Sequence, residues 1–454
     1  MSEEARVKGR RRFFKQALGV GGGALLVGVV GSEEQSPEKS PAPTELTPPE
    51  SARLTLPGKD MDALISHGMT PPTLETRREF LGTSVVTATP RHFVRQNLPL
   101  PPEEIVADRA GWSVQVQGVR MPGQITVGEL QRLGLTTVAV VLQCSGNGRR
   151  FFEHGPSGSP WGVGAAGCAV WSGVKVSTVL EHFGGVSEDV RFLTATGGEP
   201  LPEGIAREDV VVERSIPIDK ALDDCLLAWE MNGEPIPLVH GGPLRLIVPG
   251  YYGVNQIKFV QQIACAAQPT DAKIHSTGYR FRDIGQGAAT DQPSMWAMGP
   301  KSFVTYPTAR TPQRAGLVQC AGVAFGGTEP VAKVEVSSDG ESWREAALIG
   351  PDLGPYAWRV FHLAVEAPAG ALPLFSRVTT VSGRVQPENR IENERGYGND
   401  SWRDMGVVVQ VCGADDEACL RPPEDAPSGR RRREGPIELS EAGQRGRAIF
   451  REQA

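Results

Sequence analysis

The chain contains 454 residues, 39% of them apolar, a length that corresponds to two or three domains of roughly 150 residues each. Its formal net charge of −6 offers no broad positive field for phosphates, which argues against nucleic acid as a partner. The 54 glycines and 37 prolines favour many turns and short strands over long helices.

The N-terminus has the pattern of an export signal over residues 1–31. Residues 9–15 fit the twin-arginine pattern, and the glycine-rich apolar stretch at 16–31 is shorter than the roughly 20 residues of a spanning helix. We therefore expect export to the periplasm or the outer face of the membrane. A disordered basic leader and an uncleaved anchor stay open as alternatives. Residues 32–60 are rich in Glu, Pro, Ser and Thr and are predicted to be a flexible linker.

A single cysteine follows a predicted strand and begins a turn of small residues. The apolar run at 136–142 precedes Cys144, and after the turn at 145–148 come Arg149 and Arg150. A thiolate is a soft metal ligand, and small residues beside it let a bulky cofactor approach the backbone. Arginine supplies a permanent positive fork for an oxyanion. A lone cysteine is otherwise a core residue, but this combination predicts a metal centre with an anion clamp.

The remaining elements predict an α+β fold. In the core domain (61–300), residues 243–249 and 257–266 are typical of buried strands, and apolar residues recur at helical spacing over 220–230. Past residue 301 the pattern changes to strands at 315–325, 330–337 and 359–366, which indicates a β-sandwich over 301–413.

Seven cysteines show no zinc-site spacing. Cys412 and Cys419 flank a polar loop and form a candidate disulfide. Because the number of cysteines is odd, at least one thiol stays unpaired, which fits Cys144 as a metal ligand. Residues 414–454 are predicted to be a linker with an arginine run at 430–433. The segment 440–454 resembles the first helix of a small c-type cytochrome, and an ordinary amphipathic terminal helix explains it equally well.

Ordered blocks from about residue 72 to 411 resemble the sulfite oxidase family. The Leu-Gln-Cys-x-Gly-Asn motif stands at 142–147, and further blocks lie at 75–78, 91–99, 161–180, 214–217, 227–235, 244–250 and 301–303. The resemblance implies a molybdenum–molybdopterin cofactor with Cys144 as metal ligand, in a β-rich catalytic domain. It also implies that the sandwich is the family's immunoglobulin-like dimerisation domain, so that the protein is a homodimer. The implied reaction is sulfite oxidation to sulfate, with electrons passed to a c-type cytochrome.

The same resemblance assigns site residues. Those that face the substrate anion are Arg95, Arg149, Tyr279 and Arg395, with Arg150 as a rival to Arg149. Those that bind the cofactor are Arg95, Asn97, Cys144, Ser145, Gly146, Asn147, Arg245, Lys258, Lys301 and Ser302. His154 and His240 have no matched role.

One position departs from the family pattern. Asn97 stands where family members commonly have a histidine, two residues after Arg95. A histidine can gain a proton near neutral pH and an asparagine cannot, so this change affects anion binding and the identity of the substrate.

Four functions are compatible with these features of the sequence. Beside sulfite dehydrogenase stand a dehydrogenase for another sulfur compound with a separate cytochrome subunit, a molybdopterin sulfoxide reductase, and a cofactor-free binding protein on the same scaffold. Intact Cys144 and Arg149 favour an enzyme, and the set of arginines favours an anionic substrate over a neutral sulfoxide.

Overall fold

The computed structural model describes residues 55–417 and 419–421. The predicted export signal, most of the predicted linker and the cytochrome-like segment at 440–454 lie outside these residues. Within the described ranges, no helix has both the length and the apolar character needed to cross a bilayer.

A three-stranded antiparallel sheet begins the fold. It consists of β1 (Leu64–Met69), β2 (Pro72–Thr76) and β3 (Val94–Arg95), in that order. Strand β2 is buried along its whole length, and it pairs with β3 so that Thr73 lies opposite Arg95. This small sheet therefore fixes the backbone of Arg95.

Two five-stranded sheets and short helices make up the region that follows. In chain order the elements are β4 (Ser113–Gln117), β5 (Gly123–Thr126), α1 (Val127–Leu133), β6 (Thr136–Gln143), β7 (Ala166–Lys175), α2 (Val176–His182), β8 (Phe192–Gly197), α3 (Arg207–Val210), β9 (Glu213–Pro217), α4 (Ile218–Asp223), β10 (Leu226–Met231), β11 (Glu234–Pro235), β12 (Arg245–Ile247) and β13 (Val260–Ala266). One sheet has the order β11-β10-β7-β6, with β12 also paired to β10, and the other has the order β5-β4-β13-β8-β9.

Strand β6 is buried between two hydrophobic clusters. Successive side chains of a strand point to opposite faces. Val140 and Leu142 pack with Trp161 and Trp171 on one face, whereas Val141 on the other face joins a cluster that includes Phe303. The strand therefore emerges at Cys144 from a position fixed on both sides.

The predicted helix over 220–230 is wrong in its second half. Helix α4 ends at Asp223, and residues Leu226–Met231 form strand β10 between β7 and β12. Residues 226–229 are all buried because the strand is covered on both faces, and a short apolar run of this kind fits a buried strand as well as a helix.

The last third of the described chain is a β-sandwich, as predicted. Its strands are β14 (Lys301–Tyr306), β15 (Gln313–Arg314), β16 (Gly316–Phe325), β17 (Val331–Ser337), β18 (Arg344–Glu345), β19 (Ala347–Ile349), β20 (Arg359–Ala367), β21 (Gly370–Thr380) and β22 (Val407–Cys412). They form two sheets, ordered β14-β16-β20-β19 and β15-β22-β21-β17-β18. The strands predicted at 315–325, 330–337 and 359–366 are confirmed as β16, β17 and β20 to within one residue.

The predicted disulfide between Cys412 and Cys419 is present, with the two Cα atoms 5.8 Å apart. Of the five free cysteines, Cys168, Cys225, Cys265 and Cys320 are buried, and Cys144 alone is half-buried. Cys144 is therefore the free thiol with access to a ligand.

Candidate active site

A cavity with about 690 Å³ of empty volume opens beside Cys144. Seven of the residues singled out in the sequence line it: Arg95, Asn97, Cys144, Ser145, Arg245, Lys258 and Tyr279. They come from segments far apart in the chain, and the small sheet, strand β6 and the loops around β12 bring them together.

The turn after Cys144 is held by its own hydrogen bonds. Asn147 donates from its backbone N–H to the Cys144 carbonyl (2.9 Å), and its side-chain oxygen accepts from the Ala165 N–H (3.2 Å). A Cβ atom on Gly146 would lie 2.3 Å from an Nη atom of Arg149, so the arginine can fold back over the turn only because a glycine stands there. Gly146 and Asn147 thus shape the loop and lie outside the cavity lining.

Arg149 and Arg395 lie beside a pair of stacked tyrosines. Arg149 is buried and donates to the carbonyl oxygens of Arg395 and Ser159 (2.9 Å each). Its guanidinium lies 5.3 Å from the ring centre of Tyr397, which stacks on Tyr279 at 5.2 Å. The Arg395 guanidinium is 5.9 Å from the Tyr397 ring, and its buried Nε atom has no partner. Both arginines adjoin the cavity without lining it.

The Tyr279 hydroxyl stays protonated near neutral pH. Burial raises its pKa to about 12, and Tyr397 acts in the same direction, while the charges of Arg95 and Arg149 act against them. A phenol in this state can donate a hydrogen bond to an anion in the cavity.

Buried basic groups line or adjoin another part of the cavity. Lys258 donates to the carbonyl oxygens of Val239 (2.8 Å) and Arg95 (3.2 Å), and burial holds its pKa well below the ordinary value. Arg245 donates to the His240 carbonyl (2.8 Å), and burial lowers its pKa to about 9. Lys59, whose pKa burial lowers to about 7, lies 3.1 Å from His240 Nε2. An anionic ligand would stabilise the charged forms of these buried basic groups.

Five buried polar atoms of the lining have no hydrogen-bond partner among the residues that the structure describes. They are His92 Nε2, Ser145 Oγ, Glu199 Oε2, Arg245 Nε and Gln256 Oε1. Buried polar groups are normally satisfied, so this set indicates partners supplied by a ligand. A soft thiol, buried cations and unsatisfied donors and acceptors fit molybdopterin, an anionic organic group rich in nitrogen and oxygen.

Sequence reasoning gave no role to His240 and did not single out His92, Glu199 or Gln256, although all four line the cavity. His240 lies directly before the block at 244–250 that contains Arg245, and this proximity was the available signal. Glu199 follows the end of strand β8 and belongs to no recognisable motif. It reaches the cavity through the order of strands in the sheet, which a local sequence pattern does not reveal.

Several candidates lie elsewhere. Lys301 donates to the Asn399 carbonyl (2.8 Å), and Ser302 donates to Gln386 Oε1 (2.7 Å), so both bond within the protein and outside the lining. Arg150 is exposed, whereas its rival Arg149 is buried against Tyr397. His154 contacts the Glu394 carbonyl and also lies outside the lining.

We predict that Glu199→Gln changes the pH dependence of stability in the ligand-free protein. Burial raises the pKa of Glu199 to about 7 from 4.5, so the folded state binds the extra proton between these values and stability falls as pH rises through that window. The amide of glutamine does not titrate, so the variant does not lose stability in this pH window. Above pH 7, urea unfolding should give a larger unfolding free energy for the variant, by up to about 3 kcal/mol. Parallel pH profiles for the two proteins would contradict the assignment.

Comparison with known proteins identifies both halves of the chain. Residues 99–274 match the family model of the oxidoreductase molybdopterin binding domain, and residues 292–410 match the Mo-co oxidoreductase dimerisation domain. In fold, the chain is similar to the sulfane dehydrogenase SoxCD of Paracoccus pantotrophus, with a TM-score of 0.64 and 24% identity over 76% of this chain and 88% of that one.

Relatives in sequence include enzymes acting on two oxyanions. Sulfite oxidase of Gallus gallus is 30% identical over 353 residues (72% of this chain, 74% of the relative), and mitochondrial sulfite oxidase of Rattus norvegicus is 30% identical over 370 residues (76% and 66%). A nitrate reductase [NAD(P)H] of Hordeum vulgare is 31% identical over 363 residues (72% and 39%). The chain thus spans just under two thirds of the rat protein. It belongs to the sulfite oxidase family of molybdopterin-dependent oxidoreductases, enzymes that carry the molybdenum cofactor.

Proposed function

We propose that this oxidoreductase oxidises sulfite to sulfate as a periplasmic dehydrogenase and passes the electrons to a c-type cytochrome. The observation that carries the proposal is the cavity, where the half-buried thiol of Cys144 shares the lining with Arg95 and the protonated Tyr279. The dimerisation domain supports a homodimer, and the twin-arginine pattern at residues 9–15 supports export.

The residues divide into two groups by role. Cys144, as its thiolate, would hold the metal, and Arg245, Lys258 and the unsatisfied atoms of the lining would hold the pterin. When bound, the cofactor supplies oxygen-atom transfer to sulfur and takes up two electrons. Arg95 would bind the sulfite dianion, and the Tyr279 hydroxyl would donate a hydrogen bond that orients it.

Charge supports an oxyanion substrate. Arg95 lines the cavity, and Arg149 and Arg395 adjoin it at the Tyr397 ring, so three guanidinium groups surround one region. A neutral sulfoxide would gain little from three cations, whereas a dianion would be attracted by each of them. Asn97, exposed at the cavity, adds no titratable charge, so sulfite binding should lack the pH dependence that a histidine there would give.

Cys144→Ser should abolish sulfite oxidation while the fold and most of the pterin remain. A hydroxyl oxygen cannot replace a soft thiolate, yet the contacts of Arg245 and Lys258 to the pterin would persist. Sulfite-dependent reduction of an acceptor, pterin and molybdenum content, and circular dichroism measure the three properties. Cys320→Ala, a change of another free cysteine in the sandwich core, is the matched control and should keep turnover. Substantial activity in a molybdenum-loaded Cys144→Ser protein would refute the role.

Arg149→Gln should raise the Michaelis constant for sulfite by about ten- to a hundredfold, and more than it lowers turnover. Loss of one charge-assisted hydrogen bond costs about 1.5–3 kcal/mol, which corresponds to that range. Arg150→Gln is the matched control, because that neighbouring arginine is exposed. Steady-state kinetics with sulfite as the varied substrate give the Michaelis constant and the turnover of both variants. An unchanged Michaelis constant in Arg149→Gln would move the anion clamp to Arg95 or Arg150.

Electrons should leave one at a time to a c-type haem on a partner. Stopped-flow mixing of sulfite-reduced enzyme with oxidised cytochrome c should show haem reduction that slows with salt, because the Debye length falls from about 10 Å at 0.1 M to about 3 Å at 1 M. The basic run at 430–433 is the proposed docking segment. Reoxidation by dioxygen as fast as by cytochrome would identify an oxidase instead.

A further inference from the structure

The turn that carries Cys144 rests on a neighbouring stretch of backbone. We call residues 159–165 the backing segment; none of these residues lines the cavity. Its carbonyl oxygens accept from the turn at four points: Ala165 from the Cys144 N–H (2.9 Å), Gly162 from the Gly148 N–H (2.7 Å), Trp161 from the Arg150 N–H (3.1 Å) and Ser159 from the Arg149 guanidinium (2.9 Å). The position of the thiol and of Arg149 therefore depends on where the backing segment lies.

A single buried carboxylate holds the backing segment in place. Glu75 is 3% exposed, and its two oxygens accept separately from the backbone: Oε1 from the Gly164 N–H (2.9 Å) and Oε2 from the Gly162 N–H (3.0 Å). Oε2 also lies 2.7 Å from His67 Nε2, and the charge of Arg78 interacts with the carboxylate. Both carboxylate oxygens of Glu75 are thus hydrogen-bonded to the backing segment, and Glu75 does not line the cavity.

The glycines of the backing segment are required by this contact. A Cβ atom on Gly162 would lie 2.7 Å from Glu75 Oε1, and one on Gly164 would lie 1.7 Å from the Thr76 carbonyl oxygen and 2.8 Å from Glu75 Cγ. A side chain at either position would therefore force Glu75 or the backbone to move. The two glycines and Glu75 therefore form one interlocked unit.

The same strand also carries the other side of the site. Glu75 is in β2, and β2 pairs with β3 through Thr73 and Arg95. One rigid strand is consequently bonded at one point to the backbone of Arg95 and at another to the segment that backs Cys144 and Arg149.

We propose that Glu75 is a positioning residue that sets Cys144 and Arg149 relative to Arg95 by clamping the backing segment with its two carboxylate oxygens. The inference rests on the proposed role of Cys144 as metal ligand. A glutamine at position 75 has nearly the same shape but replaces one acceptor by an amide N–H, which would face a backbone N–H. The turn must then shift, although the cavity cations stay in place.

The test is Glu75→Gln in the molybdenum-loaded enzyme. We expect molybdenum content near that of the unmodified protein, an altered set of sulfur distances by X-ray absorption at the molybdenum edge, and turnover lower by about tenfold. Glu335→Gln, which removes a carboxylate paired with Arg377 in the sandwich, is the matched control and should change neither the sulfur distances nor the turnover. An unaltered sulfur shell with full turnover in Glu75→Gln, even with a lowered melting temperature, would overturn the proposal.

A second variant keeps the test decisive if Glu75→Gln does not fold. Gly162→Ala leaves the charge in place but pushes on Glu75 Oε1, and the same change in sulfur distances is expected; an unchanged shell would overturn the proposal. Cys144→Ser, measured in parallel, distinguishes a failure of this inference from a failure of the proposed function. If it leaves the sulfur shell unchanged, Cys144 is not the ligand and the proposed function fails together with this inference.

Discussion

Burial of strand β6 on both faces is the constraint on which the site depends. Its alternating side chains enter two different hydrophobic clusters, so the strand can neither slide nor rotate without exposing one of them. Cys144 follows the strand directly, and its backbone N–H is bonded to Ala165. The thiol is therefore held in position before any ligand arrives, and reactive groups that are held in place in advance lose little freedom when the reaction begins.

The cavity beside this thiol is organised at the expense of stability. Buried Lys258 and Arg245 carry depressed pKa values, and several polar atoms of the lining lack partners in the described part of the chain. A ligand that supplies negative charge and hydrogen bonds relieves both penalties, and a ligand bound only by the folded state stabilises that state. Cofactor binding and folding are thus linked.

Local patterns predicted much of this molecule, and long-range pairing accounts for what they missed. Strand β6, the sandwich strands and the disulfide followed from apolar runs, turn residues and a short loop between two cysteines. The run at 226–229 was misassigned because a strand covered on both faces has no alternation to distinguish it from a helix. Glu199 and Gln256 reached the cavity through sheet order, which no local pattern encodes. Ser302 lay outside the lining because its strand is enclosed within the sandwich.

The loop that carries Arg395 and Tyr397 has a consequence for how such a protein can evolve. Tyr397 stacks on Tyr279 of the first domain, and the apolar cluster around Val141 is completed by Phe303, Phe325 and Met405 of the second. The two halves are therefore not interchangeable modules: a recombination that joined the first to a foreign sandwich would remove one tyrosine of the stack and expose an apolar surface. Substitutions in the sandwich loop change the surroundings of Tyr279, so the second domain shares in the selection that acts on the first.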